Sequence, residues 1–204
     1  MMRLAGLVLA GGRGSRMGGT REKPLLRLDL RPMIAHVLDR FPPATHPVLI
    51  SANRTEAYQE LGLPVIPDRI EGYRGPLAGL DAAEAWLNVH HRETTHLLAL
   101  AGDTPFLPGD VAERLSCGDQ PFPRIARHGG RLQPTVGLWS RDALGRLADY
   151  LTGDGNGSIK GFLDVTGFSP VDFPDDAAAP HQDPFCNINT SQELAVARSF
   201  ILTR

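Results

Sequence analysis

The sequence predicts an α/β protein in which helices cover both faces of a mostly parallel β-sheet, a three-layer α/β/α arrangement. Short aliphatic runs that end in Gly, Asn or Asp alternate with longer stretches of helical spacing, which is the rhythm of βαβ units. Residues 96–101 are continuously apolar, as expected of a strand buried on both faces of a parallel sheet. The first apolar run leads directly into a glycine-rich loop, an arrangement typical of Rossmann-like sheets.

Each predicted element follows from its local pattern. Apolar runs predict strands at 7–10, 47–51, 64–67, 96–101 and 131–139. Helical spacing predicts helices at 24–41, 77–89, 141–151 and 191–201. The last helix has Thr190 or Ser191 as its N-cap, and Glu193 lies in its first turn, where a negative charge suits the helix dipole. A Gly-rich loop at 153–157 and a Pro- and Asp-rich connection at 171–180 complete the second half of the chain.

Composition narrows the function classes. The 204 residues suit a single domain, and the 21 Lys and Arg are offset by 23 Asp and Glu, so bulk nucleic-acid binding is not expected and any anion site must be local. Cys117 and Cys186 form no CxxC pattern, which predicts reduced thiols in a cytoplasmic protein. The apolar run at 1–10 is far shorter than a membrane span, and no membrane association is expected.

The glycine-rich loop carries the first chemical signal. Its five glycines, in residues 9–19, allow backbone N–H groups to approach phosphate oxygens, while Arg16 and the following Lys23 add positive charge. A Walker A motif is absent. A dinucleotide fingerprint counted from Gly12 fails at Met17. The loop therefore predicts a polyanion site of another kind, with an ordinary surface loop as the alternative.

Polar residues follow several predicted strands. Asp103 comes directly after the central strand and is a suitable oxygen ligand for Mg²⁺, although a turn or N-cap role is the alternative. Asn53 and Asp68 end two other strands and can reach the same crevice, where base or ribose contacts compete with simple turn chemistry. Gly75 opens a helix with Pro76 near its first position, and its backbone could approach a purine ring.

Two further polar clusters are specific enough to line an acceptor site. They contain Arg131 with Gln133 and Asn187 with Asn189. Three histidines near residue 93 have no fixed ligand spacing, and we interpret them as solvated surface.

Seven motifs together resemble a known family. In chain order they are LAGGRGSRMGG with a following lysine, ISANR, PVIPD, GPLAG, LAGDTPFLP, RLQPTVGLW and NINT, and they span nearly the whole chain. This series is similar to the molybdenum cofactor guanylyltransferases, a branch of the nucleotide-diphospho-sugar transferase-like superfamily. Gly11 resembles the guanylyl branch more than the related cytidylyltransferases, which tend to carry LAAG, so the resemblance favours GTP over CTP.

The resemblance implies transfer of GMP from Mg-GTP to the terminal phosphate of molybdopterin, with release of pyrophosphate. It implies a nucleotide-binding part at about 1–110 and an acceptor-binding part at about 111–204. Asp103 would hold Mg²⁺, which Mn²⁺ could replace, and a labile product implies transient contact with molybdoenzyme chaperones or cofactor-insertion proteins. The expected nucleotide contacts are Leu9, Ala10, Gly11, Gly12, Lys23, Asn53, Asp68, Gly75 and Asp103, with Arg16, Lys23 and Asp103 as the catalytic residues.

One departure from the family pattern leaves a question open. The family usually has Asp-Lys after the loop, whereas this chain has residues 20–22, Thr-Arg-Glu, before Lys23, so the register of the lysine is not determined. A cytidylyltransferase or sugar-nucleotide transferase of the same fold is the alternative enzyme. A GTP-binding protein with little catalytic activity is the alternative outside that class.

Overall fold

A computed structural model describes residues 2–11, 22–70, 75–153 and 157–203 of the chain. The strands within these residues are β1 (Leu4–Leu9), β2 (Val48–Ser51), β3 (Val65–Ile66), β4 (His96–Ala101), β5 (Arg124–His128), β6 (Arg131–Ser140) and β7 (Ser169–Phe173). The α-helices are α1 (Met33–Leu38), α2 (Pro76–His90), α3 (Val111–Ser116), α4 (Arg141–Leu144), α5 (Leu147–Thr152), α6 (Ile159–Thr166) and α7 (Ser191–Leu202).

The described strands form one sheet in the order β3-β2-β1-β4-β6-β5-β7. β1 pairs in parallel with both β2 and β4, β3 is parallel to β2, and β7 is parallel to β5. β6 runs antiparallel to both of its neighbours and is the one reversed strand among those described. The predicted mostly parallel α/β sheet is thus confirmed. Because the chain continues from β1 to β2 on one side and returns as β4 on the other, the strand order switches beside β1, where such sheets bind ligands.

Helices pack on both faces of the sheet and complete three layers. Alternate residues of β1 point to opposite faces, so Leu7 joins one buried apolar cluster and Val8 joins the other. The Leu7 cluster includes residues of α2, α5 and α6, and the Val8 cluster includes residues of α1 and α3. A smaller third cluster joins Leu194 of α7 to Met33 at the start of α1. This last contact brings the C-terminal helix close to the N-terminal part of the sheet.

The predicted helix at 24–41 is wrong for most of its length. Lys23–Leu25 form a short 3-10 turn, and α1 covers only Met33–Leu38. Between them the chain makes a tight turn, in which the Leu28 N–H donates to the Arg31 carbonyl at 3.1 Å. Pro32 disfavours helical geometry in the residue before it, so the helix cannot start earlier.

The second half of the chain also differs from its prediction. The helix predicted at 141–151 is two helices, α4 and α5, divided at Gly145. Four elements had no predicted counterpart: α3, α6, β5 and β7, the last of which occupies the first part of the predicted 171–180 connection. The final helix is confirmed, with Thr190 as its N-cap. Among the described helices, none has the length and apolarity that crossing a bilayer requires.

Candidate active site

The carboxyl ends of β1 to β4 meet at one edge of the sheet. Hydrogen bonds extend the pairing one step past the strands, because the Ala10 N–H donates to the Ser51 carbonyl at 3.0 Å and the Gly102 N–H donates to the Leu9 carbonyl at 3.0 Å. These bonds hold the residues that follow each strand beside one another. The segments that carry Gly11, Asn53, Asp68 and Asp103 therefore leave the sheet at the same edge, as the sequence predicts.

Lys23 lies at the centre of this edge. Its ammonium group forms an ion pair with the carboxylate of Asp103 and donates a hydrogen bond to Oδ1 of Asn189 at 2.8 Å. The side chains of Lys23 and Asp103 are only 19% and 22% exposed, so little water competes for this contact. The structure thus joins residues 23, 103 and 189, which are far apart in the sequence, in one charged cluster.

The packing around Gly102 explains how Lys23 comes so close. A Cβ atom on Gly102 would lie 3.2 Å from the Leu9 carbonyl oxygen and 3.4 Å from Cβ of Pro24. The 3-10 turn that begins at Lys23 consequently packs directly against the end of β4, with Pro24 buried. A larger residue at position 102 would separate Lys23 from Asp103.

Asn53 and Asp68 hold each other at the ends of β2 and β3. The Asn53 amide Nδ2 donates to Oδ2 of Asp68 at 2.9 Å, and the Asp68 N–H donates to Oδ1 of Asn53 at 2.9 Å. This reciprocal pair fixes both side chains at the rim of the crevice. These two bonds join residues 15 positions apart and need no ligand, so a role in base or ribose binding stays a prediction.

Both described ends of the glycine-rich loop are anchored. At the first end, the buried hydroxyl of Tyr58 donates to the Ala10 carbonyl at 3.4 Å, and burial raises the pKa of this hydroxyl so that it stays protonated. At the second end, Glu22 forms an ion pair with Arg54 at 3.2 Å. Neither Tyr58 nor the Glu22–Arg54 pair was predicted from the sequence, because each contact joins segments more than 30 positions apart.

The remaining predicted residues have different positions. Gly75 is the N-cap of α2 and Pro76 its first residue, as predicted for the helix start. Arg131 and Gln133 lie in the first half of β6, and because β6 is antiparallel to β4 this half extends along the same sheet edge. Asn187 is exposed and lines a cavity of about 440 Å³ beside α7. Gly12 and Arg16 lie outside the described residues.

The chemistry of the site suits a divalent cation held jointly with a ligand. The described residues contain no group of three or more His, Cys, Asp or Glu that could hold a metal ion by themselves. Asp103 offers one carboxylate, and Mg²⁺ is commonly bound by one or two carboxylates together with phosphate oxygens. The donor set fits a metal that enters with a nucleotide better than one that the protein keeps permanently.

A parallel sheet with a glycine-rich loop after β1 and a lysine–aspartate pair at its switch point defines a nucleotidyltransferase of the α/β class. Residues 6–166 match the model of the MobA-like NTP transferase domain. The chain belongs to this family.

Relatives match over nearly the whole chain. A molybdenum cofactor guanylyltransferase of Cereibacter sphaeroides is 39% identical, covering 98% of this chain and 98% of that protein. Another from Mesorhizobium japonicum is 36% identical, covering 95% and 94%. The crystal structure of molybdopterin-guanine dinucleotide biosynthesis protein A from Archaeoglobus fulgidus superimposes with a TM-score of 0.70 at 23% identity, covering 98% of this chain and 100% of that chain. At this identity the crystal structure supports the fold.

Proposed function

We propose that the protein transfers GMP from GTP to the terminal phosphate of molybdopterin. An oxygen of that phosphate attacks the α-phosphorus of GTP, and the bond between the α-phosphorus and the bridging oxygen to the β-phosphate breaks. Pyrophosphate leaves with the bonding electron pair, and the product is the guanine dinucleotide form of the cofactor. The observation that carries this proposal is the Lys23–Asp103–Asn189 cluster at the switch point of the sheet. The chain's family and the relatives described above are nucleotidyltransferases.

On the nucleotide side, the segment 9–11 would contact GTP through its backbone, and the loop that continues through Gly12 and Arg16 would enclose the phosphates. Asn53 and Asp68, already oriented by their mutual hydrogen bonds, would contact the base or ribose. Gly75, at the start of α2, would approach the purine ring through its backbone.

Lys23 and Asp103 would have different electrostatic roles in the reaction. Lys23 would stabilise the negative charge that develops on the phosphates during in-line attack, which is catalysis by positioning and electrostatics. Asp103 would hold Mg²⁺, which supplies positive charge to the phosphate oxygens when it is bound. No covalent nucleophile is required, so every side chain in this scheme acts by orientation or charge.

On the acceptor side, residues after about 110 contribute the site. Arg131 and Gln133 extend along the same edge, and Asn187 lines the adjacent 440 Å³ cavity. Asn189 would contribute its amide beside Lys23. We place this reaction in the cytoplasm and expect the labile product to pass directly to a chaperone or cofactor-insertion protein.

The test is pyrophosphate release with molybdopterin and a panel of GTP, CTP, UTP and ATP. We expect turnover with GTP and Mg²⁺, and a loss in kcat/KM of about 100-fold or more for Asp103→Ala, the scale of losing one group that stabilises the transition state. The matched control is Asp39→Ala, which removes an exposed aspartate paired with Arg31 and should leave turnover unchanged. Equal turnover with CTP would refute the guanylyl assignment, and tight GTP binding without pyrophosphate release would favour a binding protein.

A further inference from the structure

The first turn of α7 is tied to the charged cluster by a chain of hydrogen bonds. We infer that Glu193, an exposed carboxylate that touches neither Lys23 nor Asp103 in the described contacts, is a positioning residue for Lys23 and acts through Asn189. The kinetic part of this inference rests on the proposed function. Its chemical part can be tested without any activity.

Glu193 does more than close an ordinary capping box. In that motif the carboxylate accepts from the N–H of the N-cap residue, here Thr190, at 2.9 Å, while the Thr190 hydroxyl accepts from the Glu193 N–H at 3.1 Å. The same oxygen, Oε2 of Glu193, also accepts from the N–H of Asn189 at 2.6 Å. This additional bond fixes the backbone of the residue before the cap, which lies outside any helix or strand.

Asn189 passes this restraint on to the site. Its Oδ1 accepts from the Lys23 ammonium at 2.8 Å, and the N–H of the preceding Ile188 donates to the Asp103 carbonyl at 3.1 Å. The segment 188–190 is thus held between the helix on one side and the end of β4 on the other. Glu193 sets the backbone of this segment, and the backbone sets the direction of the Asn189 amide.

Lysine needs such a restraint because its side chain is long and flexible. An ammonium on a four-carbon stem has many rotamers, and ordering it is entropically costly. Asp103 alone gives Lys23 a charge partner but not a unique direction, since a carboxylate accepts from several angles. A second acceptor at a fixed point, Oδ1 of Asn189, defines the position of the ammonium before the triphosphate binds.

The first experiment measures steady-state kinetics with GTP for three variants. Glu193→Ala should lower kcat and kcat/KM for GTP together, each about five-fold, which is the equivalent of losing one net hydrogen bond, because Lys23 acts on charge that develops in the transition state. Glu193→Gln should behave like the natural protein, because one amide oxygen can accept both N–H bonds that Oε2 accepts now. Ala195→Gly, at an exposed position of α7, is the control, because it weakens the helix and Ala195 is not part of the buried cluster that contains Ile188.

The second experiment uses the unusual lysine content of the chain. The sequence contains only two lysines, Lys23 and Lys160, and Lys160 is exposed and serves as an internal reference. After brief acetylation with an N-hydroxysuccinimide ester, mass spectrometry of peptides gives the ratio of modification at the two sites. We expect Glu193→Ala to raise the relative reactivity of Lys23 about five-fold, and expect Glu193→Gln and Ala195→Gly to leave it unchanged.

The outcomes separate the inference from the proposed function. If Ala195→Gly matches Glu193→Ala in kcat/KM or in lysine reactivity, the effect is one of helix stability and the inference fails. If Glu193→Gln is as defective as Glu193→Ala, Glu193 acts by charge and the positioning role fails. If the natural protein shows no transfer of GMP, the proposed function fails, and the acetylation ratio still decides whether Glu193 positions Lys23.

Discussion

Arg124 is the most deeply buried Lys or Arg among the described residues, and it lies outside the candidate active site. Its substitution should therefore change stability without changing the site. Arg124 is 3% exposed at the start of β5. Its guanidinium donates to the carbonyl oxygens of Gln120, Cys117 and Gly118 at 2.8, 2.8 and 2.6 Å, and to that of Leu115 at 3.3 Å. It therefore caps the C-terminal end of α3, whose last carbonyls have no partner within the helix.

The magnitude follows from these contacts. A hydrogen bond from a charged donor contributes about 1.5–3 kcal/mol, but Cys117 and Gly118 are exposed and their carbonyls can bind water once the arginine is gone. Counting about 1 kcal/mol for each of the three short bonds, we expect Arg124→Met to lower the free energy of unfolding by about 3 kcal/mol. For a chain of this size that corresponds to a decrease in Tm of about 6–12 °C.

Urea denaturation followed by circular dichroism measures this loss, with Arg127→Met as the matched control on the same strand. Arg127 forms a surface ion pair with Asp172, and its removal should cost less than about 1 kcal/mol. The KM for GTP should not change in Arg124→Met, because Arg124 pairs with Leu138 of β6, which pairs with Leu98 of β4, five positions before Asp103. A difference below about 1 kcal/mol between the two variants would refute the capping role.

Three further predictions concern single residues. Burial raises the pKa of Asp81, so the stability that its protonated carboxyl contributes is complete below the unfolded pKa near 3.8 and is lost as pH rises. Asp81→Asn should therefore become more stable relative to the natural protein as the pH of urea titrations is raised from 4 to 7. A gain that does not depend on pH would contradict this. Gly102→Ala places a Cβ 3.2 Å from the Leu9 carbonyl oxygen, and it should lower the free energy of unfolding by about 1–2 kcal/mol. It should also lower kcat/KM for GTP, and unchanged kinetics would show that the turn at Lys23 adapts. Burial raises the pKa of Cys186 to about 12, so little of its thiol is in the reactive thiolate form. Ellman's reagent should therefore modify the exposed Cys117 at least about ten-fold faster than Cys186, and equal rates would show that Cys186 is accessible.

The sheet edge that carries Asn53, Asp68 and Asp103 was predictable because its signals are local. The run 96–101 forms β4 with the predicted bounds, and Asn53, Asp68 and Asp103 follow strand ends as expected. In a parallel sheet the ends of neighbouring strands meet at one edge, so the strand predictions alone bring these residues together. Their chemical roles do not follow from position, and they stay predictions.

The second half was predicted less well because its elements depend on tertiary contacts. β7 begins with Ser169 and Pro170, which is a poor strand signal. It forms because it pairs with β5 as the last strand in the sheet order. The contact between Lys23 and Asn189 spans 166 positions, and no local pattern predicts it. The capping-box residues Thr190 and Glu193 were recognisable as a helix start, but their link to Lys23 depends on how α7 packs against α1.

The small number of hydrogen-bond acceptors around position 23 favours lysine over arginine there. The chain has 21 Lys and Arg, and all but Lys23 and Lys160 are arginine, so arginine is its usual cation. A guanidinium is planar and carries five N–H donors, which would need more acceptors than the single carboxylate and amide found here. An ammonium is a compact charge whose donors can turn from one oxygen to another without a change in backbone. Under the proposed function, Lys23 would pair with Asp103 in the free protein and redirect the same charge toward phosphate oxygens, while Asn189 holds it at the crevice.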